Sequence, residues 1–178
     1  MFSSLSIGMT ATPRFHPATL LATLLLALPM MAGAKTVLIE TPLGDIEIEL
    51  LEEDAPNTVA NFLNYIENDR YDKTFIHRSV TGFIIHGGGF TFSDGATSAV
   101  VSFPPVENEF KVSNTRGTVA MAKIVGQPDS ATSEWFINLD DNSSNLDSQN
   151  GGFTVFARVI GDGIPGAAWD RINLTFTA

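Results

Sequence analysis

The chain contains no cysteine among its 178 residues. Disulfide bonds, thiolate nucleophiles and cysteine-ligated metal sites are therefore excluded. Basic residues are also scarce, because ten lysines and arginines stand against twenty aspartates and glutamates, for a formal net charge of −10. An acidic surface repels polyphosphates and anionic lipids. We therefore expect neither nucleic acid nor a membrane surface to be a partner of the folded protein.

A long apolar run lies near the N-terminus, at 18–31. Arg14 precedes it, and an Ala-Gly-Ala sequence follows it at 32–34. A basic start, a short apolar stretch and a small-x-small site are typical of a secretory signal peptide. A membrane anchor is the alternative, but the run is shorter than the roughly 20 residues that a spanning helix needs. We predict a cleaved signal peptide at 1–34 and one folded domain at 35–178.

The rest of the chain alternates between short strand patterns and turn residues. The sequence Ile-Glu-Ile-Glu-Leu at 46–50 alternates strictly between apolar and charged residues, as a strand with one buried face does. A helix is indicated after Pro56, with Asp54 as the candidate N-cap. Its apolar residues recur at i, i+3, i+4 and i+7, which predicts one buried stripe: Val59, Phe62, Leu63 and Ile66. Further strands are predicted at 36–40, 75–80, 83–86, 118–122, 135–139 and 154–160, and a second short helix at 166–171.

Many short strands with one early helix favour a closed β-barrel with helical plugs. The order of two strands, a helix and two more strands is not the regular strand–helix alternation of a parallel sheet. We therefore predict a mainly β fold.

Polar and large apolar side chains share faces on several of these strands. Ile84 and His86 lie on one face of their strand, Glu134 and Phe136 share a face of a later one, and Arg78 lies on one side of a third. An apolar pocket with a few fixed polar groups requires such mixed faces. A surface with scattered apolar residues is equally compatible with the pattern.

The amino-acid sequences of four segments point to a function more specifically than strand faces do. The segments 75–90, 114–123, 130–138 and 145–159 resemble, in this order, four landmarks of the cyclophilin family of peptidyl-prolyl cis-trans isomerases. The first contains the His-Arg-x-x-x-Gly-Phe signature that begins at His77. The resemblance is nearest to the exported bacterial branch.

The resemblance implies a closed eight-stranded antiparallel barrel with two short helices and an active site on its outer face. It implies that Arg78 is the catalytic residue and that no cofactor or metal is needed. It also implies that nine further residues bind the substrate, of which Ala122 and Lys123 offer backbone contacts: Phe83, Ile84, His86, Ala122, Lys123, Glu134, Phe136, Leu146 and Phe153.

Several positions depart from the family's pattern. Glutamine is usual where His86 and Glu134 stand, and methionine is usual at Ile84. We expect Glu134 to lie within reach of both Arg78 and His86. The segment at 172–177 follows the predicted second helix too closely to be the usual last strand, so that strand is expected to be missing or altered.

The function implied is a monomeric periplasmic isomerase that acts on proline-containing peptides and unfolded exported proteins. The alternative is a proline-peptide-binding or chaperone module of the same fold with weak or no turnover. A metal site of His77 and His86 with Glu109 or Glu134 is not predicted, because the spacings match no short metal motif. His77 is interpreted as structural, because its strand parity opposes that of Arg78.

Overall fold

A computed structural model describes residues 35–161 and the backbone of 173–177. The predicted signal peptide at 1–34 and the predicted helix at 166–171 lie outside the described residues. Within the described part, no helix is long and apolar enough to cross a membrane.

The described residues form eleven strands, two α-helices and one short 3₁₀ turn at Gln149–Gly151. The helices are α1 (Pro56–Glu67) and α2 (Ser143–Leu146). The strands are β1 (Thr36–Glu40), β2 (Ile46–Leu50), β3 (Thr74–Phe75), β4 (Arg78–Val80), β5 (Ile84–Gly87), β6 (Phe90–Ser93), β7 (Ala96–Ala99), β8 (Thr118–Met121), β9 (Trp135–Asn138), β10 (Val155–Val159) and β11 (Asn173–Thr177). The prediction of a mainly β fold is confirmed.

All strand pairs are antiparallel, and the strands follow one another in the order β4-β5-β9-β8-β10-β2-β1-β11-β3-β6-β7. β3 and β4 lie near opposite ends of this order, yet only Ile76 and His77 separate them in the chain. The sheet must therefore curl round to bring its two ends together. In the described residues it is a curled half-barrel with edges at β4 and β7, and a closed barrel of eight strands is not shown.

Most of the predicted strands are confirmed, and the strand at 75–80 is the main exception. It breaks at Ile76 and His77 into β3 and β4, which pair with different neighbours. The hairpin of β6 and β7 was not predicted, although Asp94 and Gly95 at its turn carry the Asp-Gly signal and have positive φ angles of 53° and 77°. α2 was also not predicted.

A last strand is present in the described backbone. β11 pairs with β1, with Phe176 opposite Ile39, and with β3, with Leu174 opposite Thr74. The last strand was expected to be missing or altered; in the described backbone a strand is present at Asn173–Thr177, so it is not missing.

Alternation along the strands separates two apolar clusters. In β9, Trp135 and Ile137 face the main core inside the curled sheet, whereas Phe136 faces a smaller cluster on the other side. In β5, Ile85 joins the main core and Ile84 the smaller cluster. The sheet thus has an apolar patch on its outer face as well as a core within.

α1 covers the main core and begins without a cap of its own. Its N-cap residue is Ala55, which has no capping side chain. The carboxylate of Glu109 accepts hydrogen bonds from the backbone N–H of Asn57 at 3.1 Å and of Thr58 at 2.8 Å instead. Asp54, the predicted N-cap, pairs with Lys111 at 2.7 Å. The N-cap prediction is wrong because a distant carboxylate satisfies the first-turn N–H groups.

Candidate active site

One row of side chains crosses four neighbouring strands. Arg78 on β4 lies opposite His86 on β5, His86 lies opposite Phe136 on β9, and Phe136 lies opposite Ala120 on β8. Directly opposed residues in an antiparallel sheet point to the same face. The register therefore places a guanidinium and an imidazole beside the outer apolar patch.

The outer patch contains the predicted proline pocket. Ile84, Phe136 and Leu146 are buried in it, and Phe83 and Phe153 pack against them. The rings of Phe136 and Phe153 meet edge to face, with centroids 5.7 Å apart. The structure thus brings together all five side chains that the sequence assigned to this pocket: Phe83 from the turn before β5, Ile84 on β5, Phe136 on β9, Leu146 on α2 and Phe153 before β10. Ala122 packs against the same cluster.

Arg78 is exposed at the edge of this patch. Its guanidinium carbon lies 6.0 Å from the centroid of the Phe83 ring, within cation–π range. Among the described residues, Arg78 forms no ion pair. Its N–H donors are therefore available to a ligand that enters the patch.

Glu134 engages histidines rather than Arg78. Its Oε2 lies 2.8 Å from His86 Nε2 and 3.7 Å from His77 Nε2. The expected contact with His86 is present, and the expected contact with Arg78 is not among the described ion pairs. Interaction with His86 is the main cause that lowers the pKa of Glu134 below its ordinary value, and burial opposes this shift.

His77 joins this group against the parity argument. The alternation of side chains is interrupted at Ile76 and His77, where β3 ends before β4 begins. The His77 ring consequently lies against the His86 ring, with centroids 4.4 Å apart and the ring planes tilted by 53°. Burial, then the proximity of His86, lowers the pKa of His77, although Glu134 acts in the opposite direction. This shift favours the neutral form of the His77 imidazole.

Lys123 braces the loop that carries Phe153. Its ammonium donates to the carbonyl oxygens of Asn150 at 2.9 Å and Gly152 at 2.6 Å, and it lies 5.0 Å from the Phe153 ring centroid. Burial lowers the pKa of this ammonium. The sequence assigned Lys123 to backbone contacts, and the structure gives its side chain this additional structural role.

A buried network of amides holds the pocket loops, and sequence reasoning missed it. The Asn142 side chain donates to the Phe83 carbonyl at 2.9 Å, and the Asn114 side chain donates to the Phe153 carbonyl at 3.0 Å. Asn138 links the two, since it donates to Asn114 at 3.2 Å and accepts from Asn142 at 2.8 Å. A buried asparagine must find hydrogen-bond partners. The only hint in the sequence was that these asparagines stand next to the pocket segments.

A groove of about 400 Å³ opens beside the patch. Its lining includes His86, Ala122, Lys123, Thr132 and Glu134. The arrangement can therefore hold one apolar ring in the patch, a flanking polar chain in the groove, and a positively charged donor at the edge.

Comparison with known proteins identifies the family and several relatives of this chain. Residues 36–166 match the family described as cyclophilin type peptidyl-prolyl cis-trans isomerase/CLD. A peptidyl-prolyl cis-trans isomerase of Acinetobacter baylyi is 44% identical over 126 residues, which are 68% of this chain and 64% of that protein. Peptidyl-prolyl cis-trans isomerase A of Dickeya dadantii is 41% identical over 127 residues, 70% of this chain and 65% of that protein.

Other relatives are matched over more of their length. Peptidyl-prolyl cis-trans isomerase B of Escherichia coli is 39% identical over 142 residues, 74% of this chain and 84% of that protein. A solved cyclophilin type isomerase of Cryptosporidium parvum superposes with a TM-score of 0.61 at 21% identity, covering 82% of this chain and 98% of that one. This structural likeness concerns the fold alone. The family match covers most of the chain, and the chain therefore belongs to the cyclophilin type peptidyl-prolyl cis-trans isomerase family.

Proposed function

We propose that this protein catalyses cis/trans rotation about peptide bonds that precede proline. The observation that carries the proposal is the exposed Arg78 guanidinium, which lies at the rim of the apolar patch formed around Phe136 and forms no ion pair with any residue of the described part of the chain. The names of the relatives support it, since they are called peptidyl-prolyl cis-trans isomerases.

The physics of the reaction matches these groups. Rotation about a peptide bond costs about 18–20 kcal/mol because the nitrogen lone pair is delocalised into the carbonyl. At the twisted transition state the lone pair returns to nitrogen and accepts a hydrogen bond. A guanidinium beside that nitrogen stabilises the twisted state more than the planar one, which lowers the barrier. No nucleophile or proton transfer is required.

The apolar patch supplies the second part of the mechanism. Phe136 and Leu146 offer a surface on which a proline ring can pack, with Phe153 at its rim. Packing there fixes the ring while the preceding carbonyl turns, and it removes water from the Arg78 hydrogen bond, which strengthens that bond. The residues around the proline would lie in the adjacent groove beside Ala122 and Lys123.

An exchange measurement tests this proposal. The rate of cis/trans interconversion of a short Ala-Pro peptide is measured by NMR exchange with and without the untagged protein. The proposal predicts faster exchange in proportion to protein concentration. Saturable binding of the peptide with an unchanged exchange rate would contradict it and would favour the alternative, a proline-peptide-binding module.

We propose further that the protein is exported to the periplasm and acts there, as a monomer, on proline-containing segments of unfolded exported proteins. The Ala-Gly-Ala sequence at 32–34 after the apolar run supports cleavage before Lys35. Mass spectrometry of the periplasmic fraction should find a mature protein that begins at Lys35. A membrane-bound species that retains 18–31 would contradict this proposal.

A further inference from the structure

Three side chains from separate segments converge beside the pocket. His77 lies between β3 and β4, His86 lies on β5, and Glu134 immediately precedes β9. One ligand atom from each lies within 4.8 Å of the others. Glu134 Oε2 lies 2.8 Å from His86 Nε2 and 3.7 Å from His77 Nε2.

These distances suit a shared metal ion. Zinc bonds of about 2.0–2.1 Å in tetrahedral geometry place neighbouring ligand atoms roughly 3.3–3.4 Å apart. The two N···O distances, 2.8 and 3.7 Å, lie on either side of that value. The three ligand atoms lie within 4.8 Å of one another, so side-chain rotations that bring each pair to this spacing would place them around a central ion.

The polar atoms of the cluster are poorly satisfied without such an ion. His86 Nε2 is buried and has no aligned hydrogen bond, although Glu134 Oε2 is close to it. Among the described residues, no lysine or arginine pairs with Glu134. A buried imidazole nitrogen without a hydrogen bond is costly, and a metal bond to that nitrogen would remove the cost.

The surrounding chain leaves room for the cluster and partly encloses it. A Cβ atom at Gly89 would lie 3.0 Å from Glu134 Cδ and 3.1 Å from His77 Cε1, so only glycine gives both side chains their present positions freely. The Phe90 ring meets the His77 ring edge to face, with centroids 5.0 Å apart. Both imidazoles are mostly buried, with 15% of each side chain exposed, while Glu134 is 41% exposed. The site is thus walled by apolar groups and reachable from the Glu134 side.

We propose that His77 Nε2, His86 Nε2 and Glu134 Oε2 form a binding site for a divalent transition-metal ion. Two imidazoles and one carboxylate favour ions such as Zn²⁺, Co²⁺ or Ni²⁺ over Mg²⁺ and Ca²⁺, which prefer oxygen ligands. Three protein ligands leave a fourth tetrahedral position open to water or to a group in the adjacent groove. This departs from the expectation of no metal, because the ligands come from three separate segments and no short motif encodes the site.

Isothermal titration calorimetry of the untagged protein with Zn²⁺ tests the proposal. It predicts one bound ion per chain and, with Mg²⁺ under the same conditions, no comparable binding. Co²⁺ should give the visible absorption bands of a low-symmetry, four- or five-coordinate site. Absence of Zn²⁺ binding, or equal binding of Mg²⁺, would overturn the proposal.

Variants assign the ligands. His77→Gln and Glu134→Gln should each weaken Zn²⁺ binding at least about 10-fold, because even residues that only support a metal ligand contribute factors of 10–100. Glu107→Gln is the matched control for Glu134→Gln, because Glu107 is an exposed carboxylate outside the cluster, and it should bind Zn²⁺ as the parent does. Loss of binding in Glu107→Gln, or retention in both ligand variants, would overturn the assignment. Circular dichroism shows whether each variant is folded, and the Co²⁺ spectrum of the parent tests the site even if one variant does not fold.

The calorimetric test of Zn²⁺ binding is independent of the NMR test of isomerisation. A protein that exchanges proline peptides but binds no Zn²⁺ would refute only this inference. A protein that binds Zn²⁺ and leaves the exchange rate unchanged would refute only the proposed function.

Discussion

Gly152 shows how one residue fixes a side chain of the pocket. Its φ angle of 78° and ψ of 139° are accessible to glycine and strained for other residues. A Cβ atom there would lie 2.4 Å from Cγ of Phe110, a contact that the ring cannot relieve without moving. Gly152 directly precedes Phe153 and accepts a hydrogen bond from Lys123. The position of Phe153 therefore depends on the absence of a side chain at the preceding residue.

The substitution Gly152→Ala should destabilise the protein by several kcal/mol. Backbone strain costs about 1–3 kcal/mol, and overpacking typically adds about 1–3 kcal/mol. Gly126→Ala is the matched control, because Gly126 also has a φ of 77° but would place its Cβ in open space. Urea unfolding measures the free energy of unfolding of both variants and of the parent. Equal losses of unfolding free energy for the two would show that the Phe110 contact has no energetic effect.

His77 marks the limit of residue-level prediction from the sequence. Alternation correctly placed Ile84 and His86 on one face of their strand, because β5 is regular. It misplaced His77, because alternation assumes an unbroken strand and the strand breaks there. The break follows from the tertiary requirement that β3 and β4 pair with different neighbours. A single strand pattern does not encode that requirement.

At the scale of elements, α1 depends on a carboxylate from outside its own sequence. The apolar stripe correctly predicted the helix, and Val59 and Phe62 are buried. Its cap was not predictable, because Glu109 lies 52 residues from Asn57 in the sequence. Burial alone would raise the pKa of Glu109, but hydrogen bonds from Thr58 and Asn57 outweigh it and lower the pKa. Glu109 thus ties α1 to the loop before β8.

The substitution Glu109→Gln should lower the unfolding free energy by about 0.5–2 kcal/mol at pH 7, the usual effect of losing a helix cap. A carboxylate whose pKa is lowered by folding stabilises the folded state above its ordinary pKa of 4.5. That contribution is lost as the pH falls through the lowered folded-state value. The difference between parent and variant should therefore shrink progressively below about pH 4.5.

Urea unfolding between pH 3 and pH 7 measures this difference. Glu107→Gln is the control, because Glu107 is an exposed carboxylate only two positions away and caps no helix in the described residues. The control should unfold like the parent throughout. A difference between parent and Glu109→Gln that stays constant down to pH 3 would show that the charge on Glu109 does not stabilise the cap.

At the scale of the whole molecule, the sequence predicted the individual strands and α1 better than the way in which the strands pair into one sheet. The hairpin of β1 and β2 followed from alternation, and Ile46, Ile48 and Leu50 form its buried face. A closed barrel was expected from the many short strands, whereas the described sheet is a curled half-barrel with edges at β4 and β7. The pairing of β11 with both β1 and β3 was not predicted, because it joins residues far apart in the chain. The predicted pocket residues came from the family resemblance, and the sheet register places them together. The Asn114–Asn138–Asn142 network was missed because local patterns do not show which asparagines are buried.

The central claim is that Arg78 donates a hydrogen bond to the prolyl nitrogen in the twisted state. The most direct test compares kcat/KM on a proline-containing tetrapeptide for the parent and Arg78→Ala. We predict a loss on the order of 10²–10³-fold, as for removal of one preorganised donor. Arg78→Lys should not restore the rate, because a mobile ammonium lacks the planar, fixed guanidinium. Arg158→Ala is the control, since exposed Arg158 pairs with Glu49 away from the patch, and should retain the parent kcat/KM. A folded Arg78→Ala variant with the parent kcat/KM would contradict the account.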